Sequence, residues 1–155
     1  MRTWLLLAWL ALPALALAEC PAHEGGVHVE GDRLRVEGPI RFDLYRAEID
    51  AESMRTIDAV ARRLIACPEL SIEVQVHTDT RRTEQFNLRA SALIAAQIRA
   101  RLIAQGVPAS RVAACGYGES RPLTDGGRQP WDPANTRVEW ARIASAGAHA
   151  CPLAQ

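Results

Sequence analysis

Polar and apolar residues alternate through "VHVEGDRLRVEGPIRF", residues 27–42, on either side of Gly31-Asp32. Period-two alternation broken by a turn dipeptide predicts a β-hairpin, and Gly38-Pro39 interrupts it before a short strand at Ile40 to Phe42. The period then changes. Met54, Ile57, Val60, Ala61 and Leu64 recur at helical spacing and predict a helix from about Ala51 to Ala66, with Asp50 as N-cap and Pro68 as the stop. "LSIEVQV", Leu70 to Val76, alternates again and sets Ile72, Val74 and Val76 on one face of a strand. A second helix is predicted from about Gln85 to Gln105, ending at Gly106, with Leu88, Ser91, Ala95, Ile98 and Leu102 as its apolar stripe. "SRVAACGYG" predicts a strand closing in a Gly-rich turn, "ESRPLTDGGRQPWDPAN" a long loop, and "TRVEWARI" a last strand.

Strand, helix, strand, helix, strand and final strand give an α/β sandwich: a mixed sheet with helices on one face, preceded by a short β-hairpin. The two connections of helical length favour parallel neighbours. At 155 residues the chain has room for one ordinary domain.

The first 18 residues change the setting. "MRTWLLLAWLALPALALA" has one positive charge, Arg2, then an apolar run ending in Ala16-Leu17-Ala18, which fits a secretory signal cleaved before Glu19. The run is short for a membrane span. Leu17-Ala18-Glu19-Cys20 also resembles a lipoprotein box, although that box wants a small residue where Glu19 stands. Membrane association is therefore expected only through a lipidated Cys20, an uncleaved signal or a partner.

Export gives the cysteines their meaning. Cys20, Cys67, Cys115 and Cys151 are an even number in an oxidising compartment, which favours two disulfides, and three pairings are possible. If the strands after the two helices are parallel neighbours, Cys67 and Cys115 lie about a strand length apart, on the order of 15 Å, beyond disulfide reach. Each is then expected to pair with a terminal cysteine. A zinc site is the competing reading, but no pair has C-x-x-C spacing. Cleavage leaves 17 Arg, no Lys and 18 acids. The arginines are scattered along the chain, which gives nucleic-acid binding no footprint.

The candidate chemistry gathers in "VHTDTRRTEQFNLRASALIAA", Val76 to Ala96, where a strand ends, Asp79 follows and a helix begins. Asp79 is either a ligand group or a loop acid satisfying backbone N–H groups. Asn87 is either a donor to the same pocket or a local cap. His77 is structural, and no cofactor, metal or nucleophile–base pair is indicated, so an enzyme is not expected. Trp140 lies in an alternating strand and reads as core; Trp131, between two prolines of the long loop, is the freer candidate for stacking on a sugar.

The order of "IRF", "CPEL", "IEVQVHTD", Asn87 eight residues after Asp79, "GYGESRP" and "NTRVEW" resembles the OmpA-like C-terminal domain over roughly Ile40 to Ile143. The implied division is a signal peptide at 1–18, a lead and hairpin at 19–39, the OmpA-like domain at 40–143 and a tail at 144–155. The resemblance implies a periplasmic protein, associated with the outer membrane, that binds peptidoglycan non-covalently through the diaminopimelate of the stem peptide, with envelope proteins as further partners. It places Asp79, Thr78, Asn87 and Arg137 in the pocket.

The chain also departs from that pattern. Val76, Arg82 and Thr136 replace a Gly, a Gly and an Arg, and Ile94 replaces the helix Arg that should face the ligand with Asp79. Asn87 and Ile94, seven residues apart, lie within about 20° on a helix, so the expected side is kept while its cation is gone. Arg81 and Arg82, beside Asp79, either supply a substitute cation, neutralise Asp79 or stand as a pair in a solvated loop. The alternative function is a degenerate module serving as a structural or protein-interaction domain.

Overall fold

The hairpin alternation is realised as β2 (Val27–Glu30) and β3 (Arg33–Val36), antiparallel with Val29 opposite Leu34, after a two-residue β1 (His23–Glu24). The computed structural model describes residues 20, 23–123, 129–146 and 151. The expected signal segment lies outside them, as do 147–150 and 152–155 of the expected tail.

The strand expected at Ile40 to Phe42 is displaced. β4 is Phe42–Asp43 and pairs only with β5 (Glu48–Ile49), in a separate two-stranded ribbon. The reason is local competition for backbone groups. Arg41 N donates to Ser53 Oγ at 2.7 Å and Arg41 O accepts from Asp50 N at 3.3 Å, so the start of the next helix holds this segment.

That helix, α1 (Ala51–Ala66), has the expected bounds, and Asp50 caps it by accepting from Ser53 N at 2.7 Å. Ile57, Val60, Ala61 and Leu64 are its buried face. Its last carbonyls are held by Arg111, whose guanidinium donates to Leu64 O, Cys67 O and Leu70 O, supplying partners a helix end otherwise lacks. β6 (Ile72–His77) follows, then α2 (Glu84–Ala104), capped by Thr83, then β7 (Val112–Gly118) and β8 (Arg137–Arg142).

The main sheet runs β1-β2-β3-β8-β6-β7. β6 is parallel to β7 and antiparallel to β8. Only the connection through α2 joins parallel neighbours; β8 lies between β3 and β6, which corrects the expectation for α1. Both helices contribute to one core with the sheet: Ile57, Leu64, Ile94, Ile98, Val74 and Trp140 are among its buried members. Arg101 of α2 bridges to Asp58 of α1 through two 2.8 Å hydrogen bonds.

Two features fix α2 against β7. At Gly116 an added Cβ would lie 2.2 Å from Ala92 N and 2.6 Å from Ala92 Cα. Gly118 N donates to Ser91 Oγ at 3.0 Å. "GYG" is thus the end of a strand on which the helix rests, and the turn begins only after it.

The disulfides are Cys20–Cys67 and Cys115–Cys151. Cys67 precedes β6, whereas Cys115 pairs in register with Gln75 near its far end, so each took a terminal cysteine. Cys20 Sγ is bonded to Cys67, which leaves it no thiol to acylate and displaces the zinc reading. Cys151 Sγ also sits 3.2 Å from Ala114 O on β7, a contact rather than a hydrogen bond because a disulfide sulfur carries no proton. Beside it, Arg99 Nε donates to Val112 O at 2.7 Å. No helix among the described residues is long and apolar enough to cross a membrane.

Candidate functional site

Parallel pairing of β6 with β7 delivers the chain to Thr78, whose N–H donates to Gly118 O at 2.8 Å. The next residue, Asp79, is 4% exposed. Its carboxylate takes a two-pronged contact from Arg81: Nε to Oδ1 at 3.0 Å and Nη2 to Oδ2 at 2.7 Å. Arg81 N adds a third bond to Oδ1 at 3.0 Å, and Thr136 Oγ1 donates to Oδ2 at 3.0 Å. The Arg81 hydrogen bonds hold the Asp79 carboxyl below the usual carboxylate range, against the opposing effect of burial.

Asn87, in the first turn of α2, is fully buried and donates Nδ2 both to Asp79 O at 2.9 Å and to the Glu119 carboxylate. Asn87 Oδ1 and Thr78 Oγ1 are buried without a hydrogen-bond partner among the described residues. Three of the four expected pocket residues therefore meet at the strand end. The fourth does not join them. Arg137 donates to Glu139 Oε1 at 2.6 Å, to Asn135 O at 3.1 Å and to Arg121 O at 3.2 Å.

The two candidate cations separate in the same way. Arg81 meets Asp79, while the Arg82 guanidinium stacks 4.5 Å from the Tyr45 ring centroid. Ile94, expected to look towards Asp79, is wholly buried within the apolar core. Its position on α2 is occupied by packing, and the charge that answers Asp79 comes from the loop.

Sequence reasoning passed over Thr136 and Glu119. Thr136 entered only as a replaced Arg, yet the register of His77 with Arg137 places the residue before β8 against the residues after β6. Glu119 follows "GYG" directly, and nothing in the spacing marks it. Beyond Arg81 and Thr136 opens a cleft of about 550 Å³, whose other wall is the segment from Pro39 to Tyr45.

On the opposite face of β6, Glu73, Gln75 and His77 are buried rather than solvated. Gln75 Nε2 and Tyr117 OH donate to Glu73 at 2.6 and 2.8 Å. His77 stacks on Tyr117, with ring centroids 5.3 Å apart, and neither ring nitrogen has a hydrogen-bond partner among the described residues. Burial, aided by the Arg137 charge, lowers its pKa from 6.5 to about 4. The folded state thus refuses a proton that the unfolded chain accepts. Stability present above pH 6.5 should be lost as pH falls towards 4, with a slope of up to about 1.4 kcal/mol per pH unit. Urea midpoints across that interval check this: the slope should flatten in His77→Phe, and a flat wild-type profile would contradict a neutral buried imidazole.

The sequence profile of the OmpA family matches residues 41–136. Outer membrane porin F of Pseudomonas fluorescens is 32% identical over 106 residues, 68% of this chain and 32% of the porin. The peptidoglycan-associated lipoprotein of Agrobacterium fabrum is 38% identical over 84 residues, 54% of this chain and 48% of the lipoprotein. The chain thus spans about a third to a half of these curated relatives. Among solved structures, the OmpA-like domain of FopA1 from Francisella tularensis superposes with a TM-score of 0.60 at 21% identity, covering 77% of this chain and 81% of that one. A MotB-like protein from Desulfovibrio vulgaris gives 0.61 at 25% identity, covering 77% and 80%.

Proposed function

The chain belongs to the OmpA family, and from that premise we propose that it binds peptidoglycan stem peptides non-covalently and does no chemistry on them. It works in the periplasm, in association with the outer membrane; its relatives include a porin named for that membrane. Residues 40–143 form the binding unit, with 19–39 as lead and hairpin and 144–155 as tail. Asp79, Thr78, Asn87 and Arg81 make the pocket, and Arg137 supports the loop beside it.

The observation that carries this reading is the two-pronged Asp79–Arg81 pair. A zwitterionic amino-acid group, such as the free end of diaminopimelate, needs one carboxylate and one guanidinium side by side. A planar guanidinium suits a carboxylate because it offers parallel donors. Ile94 cannot supply it, and Arg81 does. Its side chain is 60% exposed while Asp79 is sheltered, so the arginine can swing onto a ligand carboxylate as a ligand ammonium takes its place on Asp79.

Co-sedimentation with diaminopimelate-type peptidoglycan, disulfides intact, tests the proposal. Wild type should pellet with the wall, and Asp79→Ala and Arg81→Ala should each remain in the supernatant. Losing one partner of a sheltered charge pair costs about 2–5 kcal/mol, roughly 30-fold or more in affinity.

A second reading has its own observation. Arg81 and Thr136 already engage both oxygens of Asp79, as they would in a structural module whose ligand site is closed. Wild type that stays in the supernatant would favour that reading and a protein partner in the envelope.

A further inference from the structure

We infer that Trp131 is a sugar-stacking platform, so that the site engages the glycan of its ligand as well as the peptide; this rests on the stem-peptide reading. Among the described residues the exposed large hydrophobic side chains are Tyr45, Ile65, Leu93 and Trp131. Two of them are aromatic, and both border the loop that carries Arg81. The Tyr45 ring lies under Arg82 and lines the cleft shared with Arg81 and Thr136. Trp131 follows Pro130, whose carbonyl accepts from Thr80 N at 3.2 Å.

The two aromatics differ in what already covers them. Tyr45 packs on Phe86, with centroids 5.5 Å apart, and under the Arg82 guanidinium. Trp131 is 60% exposed and has no ring or cation–π partner among the described residues. Its backbone is nevertheless firmly tied. Asp132 N donates to Gln129 O at 2.9 Å, and the wholly buried Asn135 donates Nδ2 to Gln129 O and Pro130 O at 3.0 and 3.1 Å. A free indole on a fixed base offers a large amphipathic contact at little cost in ordering.

The muramic sugar stands two amino-acid residues from diaminopimelate, about 10 Å along an extended stem with its lactyl link. Trp131 is rooted one peptide unit from the group that bonds Thr80, and Thr80 adjoins Asp79. A stem peptide held by Asp79 and Arg81 that runs towards the 129–133 turn carries its sugar to the side of the site where Trp131 stands exposed.

Three probes test this on the disulfide-bonded protein: peptide-free glycan strands, a sugar-free stem tripeptide containing diaminopimelate, and the intact muropeptide. Glycan strands should move tryptophan emission to shorter wavelength in wild type and leave Trp131→Phe difference spectra without that component. Trp131→Ala should weaken muropeptide binding about tenfold, the size of one aromatic contact, and leave tripeptide binding unchanged. Equal muropeptide affinity in wild type and Trp131→Ala would overturn the proposal, as would an emission spectrum indifferent to glycan. Glycan binding lost in Trp131→Ala, with no tripeptide binding by any variant, would support the platform while removing the stem-peptide reading. Circular dichroism of Trp131→Ala should match wild type, since most of the side chain it removes is exposed.

Discussion

Gly116→Ala should lower the urea midpoint more than any other single-methyl substitution in the described fold. The new Cβ would stand 2.2 Å from Ala92 N and 2.6 Å from Ala92 Cα, and both are backbone atoms of α2 that no side-chain rotation can clear. The helix must lift from β7. Overpacking of this kind ordinarily costs 1–3 kcal/mol; with backbone on both sides, about 3 kcal/mol or more is expected. The damage should spread to the site. Lifting α2 draws Ser91 away from Gly118 N and Asn87 away from Asp79 O, bonds of 3.0 and 2.9 Å. Wall binding should therefore weaken together with stability. An unfolding free energy within about 0.5 kcal/mol of wild type would mean that α2 can shift at no cost, and the close packing would lose its role in placing Asn87.

Reduction of the two disulfides should have a still larger effect. They close loops with sequence separations of 47 and 36 residues. On the chain-entropy account each stabilises the folded state by about 4 kcal/mol. Domains of this kind are stable by only about 5–15 kcal/mol in total, so loss of both should leave much of the population unfolded at 37 °C. Thermal melts with and without dithiothreitol measure this directly. The single pairs Cys20→Ala with Cys67→Ala, and Cys115→Ala with Cys151→Ala, separate the two contributions. A melting temperature unmoved by reduction would show that the core alone sustains the fold.

Much of this architecture could be read before any coordinates. α1 ran between the expected residues because its boundaries are written locally, in a capping Asp50 and a stopping Pro68. β6 declared itself by period, and α2 ran close to its expected bounds. The error at Ile40 to Phe42 came from a contact twelve residues away: Ser53 claims Arg41 N, and no periodicity registers that. "GYG" read as a turn because glycine marks turns, whereas Gly116 is there for what lies above it. The polar residues at 73, 75 and 77 alternate with Ile72, Val74 and Val76, yet that face too is buried, against Tyr117.

The site was legible in its composition and less so in its pairing. Asp79, Asn87 and the loop arginines were all singled out. Arg81 and Arg82 stood as equals, since adjacency to Asp79 says nothing about where a flexible cation will rest. Tyr45, 37 positions before Arg82, settles it by offering its ring to that guanidinium. Ile94 leaves the helix without the expected cation, while Arg81 meets Asp79 from the loop. A charge can be supplied from any segment that reaches, and a motif fixes only the usual supplier.

The disulfide to Cys151 has a bearing on behaviour in company, apart from its hold on the folded state. β7 is the terminal strand of its sheet, and such a margin can recruit a strand from another molecule. Here its carbonyls at Val112 and Ala114 face Arg99 and the Cys151 sulfur, and its amide at Gly118 faces Ser91. The opposite margin, β1, is only two residues long. A sheet with its margins covered in this way offers little to the lateral stacking that would turn it into a fibril, and breaking the Cys115–Cys151 bond would free the sulfur that faces Ala114 O on that margin.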